Sequence, residues 1–164
     1  MIPAAFERLQ DVSVDQLFGA TGVYVLWTAN AKVRPTYMGE GYLLDRFSRH
    51  VPRFGDGLIG SLAILGYEDT SRLKEEAQIV EHLLLYVADL VDRKPAQNKS
   101  PGIRAGVRKV FRRHGVLRVR VEGMDPLRDP ALSSSRLMEP KVIELRDVGP
   151  EGIDLSHDWN RRAK

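Results

Sequence analysis

Apolar residues change their spacing along the chain, and each change marks an element. Thr21–Thr28 is rich in β-branched and aromatic residues and predicts a strand. Asn30–Pro35 is a polar turn, and Thr36–Gly39 is the returning strand of a hairpin. Tyr42–Val51 places Leu43, Leu44 and Phe47 inward at helical spacing, with Asp45, Arg46 and Arg49 elsewhere. Pro52 and Gly55, Gly57 and Gly60 make a loop before a third strand, Ser61–Tyr67. Thr70 or Ser71 caps a long helix to about Asp92, supported by Glu75 and Glu76 and stopped by Pro95. Asp11 or Ser13 caps a short first helix that ends at Gly19. Ile103, Val107, Val110 and Phe111 recur at helical spacing until Gly115. Val116–Val121 alternates strictly, Leu117, Val119 and Val121 against Arg118 and Arg120, as a half-buried strand does. A loop over Gly123–Ser135 leads to a last helix from near Pro140 to about Asp147, then a polar tail. This order implies an α/β (α+β) fold: a small, mostly antiparallel central sheet flanked by helices, ending in a helix-strand-helix extension.

A length of 164 residues implies one core, and 43% hydrophobic residues exclude wholesale disorder. No apolar run approaches the ~18 residues that a membrane helix needs. The longest, Leu83–Ala88, is short, so no membrane partner is expected. Glu7 and Asp11 stand where a secretory leader would be basic and then apolar, which points to a cytoplasmic protein. With no cysteine there is no disulfide, thiolate nucleophile or cysteine-held zinc.

The net charge of +3 says little, but its distribution says more. Lys99, Arg104, Arg108, Lys109, Arg112, Arg113, Arg118 and Arg120 form a run without an acidic residue. The rest of the chain holds seventeen basic residues against twenty-two acidic ones. A solvated basic surface is one reading; phosphate binding by these eight residues is the favoured one.

Walker, GxGxxG, HExxH and GxSxG patterns are missing, and the four histidines show no metal-binding spacing. What remains is an ordered set. Gly22-Val23-Tyr24 is followed, after twelve intervening residues, by Tyr37-Met38-Gly39. Arg46 and His50 then fall one turn apart on the next helix. Glu81 lies in the long helix, and Pro95-Ala96-Gln97-Asn98 closes the set. Taken singly, Tyr24 and Tyr37 read as packed aromatics, Arg46 and His50 as a solvated helix face, and Asn98 as a turn residue. Glu81 differs, because apolar neighbours on its helix turn it partly inward, where a carboxylate needs a partner.

Together and in this order, the residues resemble the GIY-YIG nuclease superfamily across Thr21–Asn98. The resemblance implies a catalytic core over 21–98, an N-terminal extension over 1–20 and a basic extension over 99–164 packed on the core. It implies a metal-dependent endonuclease that hydrolyses DNA phosphodiester bonds, with RNA left open. Tyr24 would be general base or water-positioning residue, Tyr37 a water or phosphate contact, and Asn98 a hydrogen-bonding group that orders the loop. Glu81 would hold Mg²⁺ or Mn²⁺, with Glu76 on the same helix as the alternative ligand. Arg46 offers phosphate a rigid fork of donors. His50 titrates near neutrality and suits the phenol, whose ordinary pKa is ~10. The family often has Lys where this chain has Glu40. A compact restriction, mobile-element or defence nuclease fits the length, and cutting both strands would call for a homodimer. Two other readings stay open: a non-catalytic nucleic-acid-binding protein with this fold, and a protein-interaction domain whose basic run meets an acidic partner.

Overall fold

A computed structural model describes residues 1–28, 31, 33–54, 59–98, 105–131 and 137–159. They form a mixed α/β fold with a seven-stranded sheet and four α-helices. In chain order these are β1 (Ile2–Arg8), α1 (Val14–Leu17), β2 (Thr21–Trp27), β3 (Tyr37–Tyr42), α2 (Leu43–Phe54) and β4 (Ile59–Gly66). Then come α3 (Ser71–Leu90), α4 (Ala105–His114), β5 (Val116–Gly123), β6 (Met138–Asp147) and β7 (Ile153–His157). The strands lie in the order β3-β2-β4-β1-β5-β6-β7, parallel between β1 and β5 and antiparallel at the other pairings. No described helix is long and apolar enough to cross a membrane.

Alternation along β2 sends its residues to two cores. Val23, Val25 and Trp27 face α3 and α4, whose Val80, Leu84, Val107 and Phe111 share their cluster. Tyr24 and Leu26 face the other way, onto Leu17 of α1 and Leu43 and Phe47 of α2. The first half of the sheet is thus covered on both sides, and β2 is buried along its whole length. Beyond β4 only one side is covered. The side shared with α2 stays exposed at Pro3, Ala5, Arg118, Arg120 and Arg146.

Gly22 makes the junction of β2 and β4 possible, since a Cβ there would stand 2.1 Å from the Ala63 carbonyl oxygen. Backbone on both sides leaves no flexible group to yield. Gly22→Ala is therefore expected to cost about 1–3 kcal/mol, read as a fall of several degrees in Tm. An unchanged Tm would contradict the close approach.

Pro52, expected in the loop after a helix ending at Val51, lies inside α2, and three longer segments also differ from the sequence expectation. Residues 140–147, expected as the last helix, belong to strand β6, with Ile143 and Leu145 buried and alternating with Glu144 and Arg146. Pro140, read as a first-turn helix residue, sits in a register shift of the β5–β6 ladder, where Val121 pairs Lys141 and Gly123 pairs Met138. One extra residue is accommodated there, and no ladder hydrogen bond is asked of the proline. The expected polar tail contains β7, paired with β6. The terminal part is thus helix-strand-strand-strand, not helix-strand-helix. Residues 2–8, expected as part of an extension, form β1 between β4 and β5. Its two ladders are offset: Ile2–Phe6 pair with β5, and Glu7 and Arg8 with β4. Pro3 therefore lies where β1 has a ladder on one side only, the placement a proline tolerates.

Candidate active site

Tyr24 on β2 pairs across the hairpin with Gly39 of β3. A Cβ on Gly39 would lie 2.4 Å from the Tyr24 hydroxyl oxygen, so this glycine makes room for the phenol. Helix α2 follows β3 directly, and Gly41, paired with Gly22 near the end of β3, has a φ of +126° that favours glycine. A Cβ there would also crowd Arg46 Nε at 3.0 Å. As α2 runs back along β3, Arg46 comes beside Gly41, and His50, one turn on, meets Tyr24 and Tyr37.

Tyr24 Oη lies 2.7 Å from His50 Nε2, both residues buried. The Tyr24 and Tyr37 rings are 6.1 Å apart, and the His50 ring lies 5.4 Å from Tyr24 and 4.9 Å from Tyr37. Phe47 closes the other side of Tyr24 edge-on at 5.2 Å. Burial raises the Tyr24 pKa well above its ordinary value; Tyr37, Glu81 and Glu40 raise it further, while Arg46 opposes them. Burial also lowers the pKa of His50, and Arg53 and Arg46 lower it more. Each shift favours the neutral form of its group at neutral pH.

Glu81 belongs to α3, which packs on β2 and the edge strand β3 from the opposite face, and its charge acts on Tyr24. It is 1% exposed, and its Oε2 lies 3.6 Å from Nδ1 of His82, itself buried. Asn98 hydrogen-bonds the backbone of the residue after Tyr37. Its amide makes two hydrogen bonds to Met38, accepting from N at 2.9 Å and donating to O at 3.0 Å. It fastens the chain after α3 to β3 at the strand that carries Tyr37. Glu76 is turned to Arg72, 2.9 Å away, and lines a different cavity with Thr70 and Leu73.

The basic residues divide. Lys99 and Arg104 lie outside the described residues. Arg108, Lys109, Arg112 and Arg113 form the exposed face of α4, on the side of the sheet opposite Tyr24 and α2. Arg113 pairs with Glu75 at 2.9 Å. Arg118 and Arg120 lie on the same side as α2 but three strands away, paired with Glu144 and Glu122. None of the six is brought to Tyr24.

Two site residues escaped the sequence reading. Arg53 sits over the Tyr37 ring, its guanidinium carbon 5.9 Å from the centroid, and helps set His50. Its signal was position: seven residues beyond Arg46 returns to the same helix face. His82 was hidden by an apolar stretch and had no periodic signal.

Glu81 is a single hard carboxylate, and no group of three or more histidines and acids gathers among the described residues. That donor set does not make a protein cage. By ligand type it is what Mg²⁺, which keeps several waters, would take together with substrate phosphate. Glu81 is, however, 1% exposed and lies against His82. No known protein family, curated protein or solved structure matches the chain.

Proposed function

We propose that the chain is a metal-dependent endonuclease of the GIY-YIG type that hydrolyses DNA phosphodiester bonds. The observation that carries this reading is the Tyr24–His50 contact of 2.7 Å beside Tyr37, with the charges of Arg46 and Glu81 acting on the same phenol. The order of these residues in the sequence and the antiparallel hairpin that bears both tyrosines support it.

In this reading the neutral Tyr24 hydroxyl donates to neutral His50 Nε2, which leaves the histidine proton on Nδ1. An attacking water passes its proton to the Tyr24 oxygen while the phenol proton moves to Nε2. His50 ends as imidazolium, and Tyr24 is again neutral. Relay through the phenol avoids a free phenolate, which burial makes costly. Arg46 donates to the non-bridging oxygens as charge builds on them. Tyr37 positions the water or a phosphate oxygen. Glu81 would hold Mg²⁺ or Mn²⁺, which when bound supplies positive charge for the leaving oxygen.

One observation favours a second reading, a nucleic-acid-binding protein that keeps this fold without cleavage. Tyr24 and Glu81 are each 1% exposed, so both are screened from solvent before substrate binds. The two readings separate in one assay. Plasmid DNA is incubated with purified protein and Mg²⁺ or Mn²⁺, beside Arg46→Ala and Glu81→Ala. Nicking by the unsubstituted protein alone is expected, and its loss with chelator. Salt-sensitive binding without nicking supports the second reading. Cleavage that persists in both variants would point to contamination.

A further inference from the structure

A cleft of about 300 Å³ opens where the ends of β2 and β3 meet α2 and α3. Arg46 forms part of its wall, and the same arginine acts electrostatically on Tyr24. Lys74 and Gln78 of α3 line it from the other side, with Glu40, Tyr42 and Asp45. Lys74 is aimed by its neighbours. Its ammonium lies 2.7 Å from Asp69 and 5.7 Å from the centre of the Tyr42 ring, and Tyr42 in turn hydrogen-bonds Asp69. An ammonium has three donors, so Asp69 orients the group without using it up.

Arg53 stands at the other end of the same line. Seven residues separate it from Arg46, about 10.5 Å along the helix, or two full turns. His50 lies between the two arginines on this face. Edge strand β3 runs beside it from Tyr37 to Tyr42, six residues that span ~20 Å. Lys74 and Arg46 at one end and Arg53 at the other, with the neutral Tyr24–His50 pair midway, form a row beside β3, whose edge Asn98 covers at Met38. A DNA strand carries one charge per ~3.4 Å of rise, so the row spans several phosphates.

Given the nuclease reading, on which this rests, we propose that the DNA strand to be cut lies along β3 and α2. Lys74 and Arg46 hold its backbone at the cleft, and Arg53 holds it over Tyr37. Glu40 and Asp45 weaken the positive potential of the cleft, although Asp45 is itself held by Arg49 at 3.1 Å. A phosphate there depends on both cations, and Lys74 supplies the second from a different helix. Of the exposed α4 cations, Lys109 and Arg113 border a second cleft that Lys74 and Gln78 also line, while Arg108 and Arg112 do not line the cleft that holds Arg46.

The test is binding of a fluorescently labelled duplex in EDTA, which prevents cleavage, followed by anisotropy over a range of salt. Each phosphate contact contributes about 0.9 to the slope of log K against log salt. Lys74→Ala and Arg53→Ala are each expected to lower that slope by about one contact, and Lys74→Arg to restore it. Arg72→Ala, on the same helix and 86% exposed, is expected to keep it. Slopes unchanged in Lys74→Ala and Arg53→Ala, with a fall in Arg108→Ala instead, would overturn the track and leave the nuclease reading standing. Absence of salt-dependent binding by the unsubstituted protein would overturn both.

Discussion

Tyr24→Phe is expected to keep the fold and to lose about 10²- to 10⁴-fold in cleavage rate, the range a positioned acid–base group contributes. The substitution removes one hydroxyl and leaves the ring against Phe47 and Tyr37. Loss of the 2.7 Å contact to His50 Nε2 is then the main change, and circular dichroism and Tm check the fold. A variant that cleaves at the original rate would remove Tyr24 from the chemistry. The pH dependence follows from His50, which must be neutral to accept a proton. Burial, Arg53 and Arg46 lower its pKa, so the acid limb of the rate should fall below the ordinary 6.5. Arg53→Ala should move that limb upward. The same shift affects stability: the unfolded chain binds the proton more readily, so this contribution is whole above about pH 6.5. It is lost as the pH falls from there through the lowered folded value.

Arg46→Ala is expected to reduce kcat by about 10²- to 10³-fold, as removal of a group aimed at developing charge does. Arg46 lines the cleft and is close enough to Tyr24 to oppose the rise in its pKa. It loses both roles at once. Arg46→Lys should recover only part of the rate, because an ammonium cannot offer two parallel donors to a phosphate. Single-turnover rates at saturating DNA separate this from weaker binding. Full activity in Arg46→Lys would mean that charge alone suffices and that the fork has no part.

The elements around the tyrosines were legible because each is local. The β2–β3 hairpin, α2 and α3 carry their patterns within one segment, and Thr70 does cap α3 by accepting from Leu73 N at 3.1 Å. The three missed strands depend on distant partners. β1 alternates only through Ala4 and Phe6 and gains its meaning from β4 and β5. β6 contains a proline that suits a helix start as well as a bulge, and only its partner decides. β7 lies in a stretch of weak apolar character, with no residue in its burial pattern fully buried.

The site divides in the same way. The resemblance to the GIY-YIG superfamily singled out Tyr24, Tyr37, Arg46, His50 and Glu81, but not how they meet. That Tyr24 donates room-demanding bulk toward Gly39, and that His50 receives its hydroxyl, are consequences of strand register and helix direction. Asn98 was drawn from the ordered set, and its place is on the Met38 backbone. The basic run was legible as composition only. Which side of the sheet it faces is fixed by alternation in β1 and β5 and by the packing of α4, neither of which charge reveals.

The central claim is that Tyr24 and His50 act as one unit in phosphodiester cleavage. A cycle of Tyr24→Phe, His50→Asn and the double variant, read as single-turnover cleavage of plasmid DNA with Mg²⁺, tests it most directly. Groups that act as a unit are strongly non-additive. The expected result is a double variant no slower than the slower single one. Losses that multiply, or single variants that cleave as fast as the unsubstituted protein, would contradict the claim.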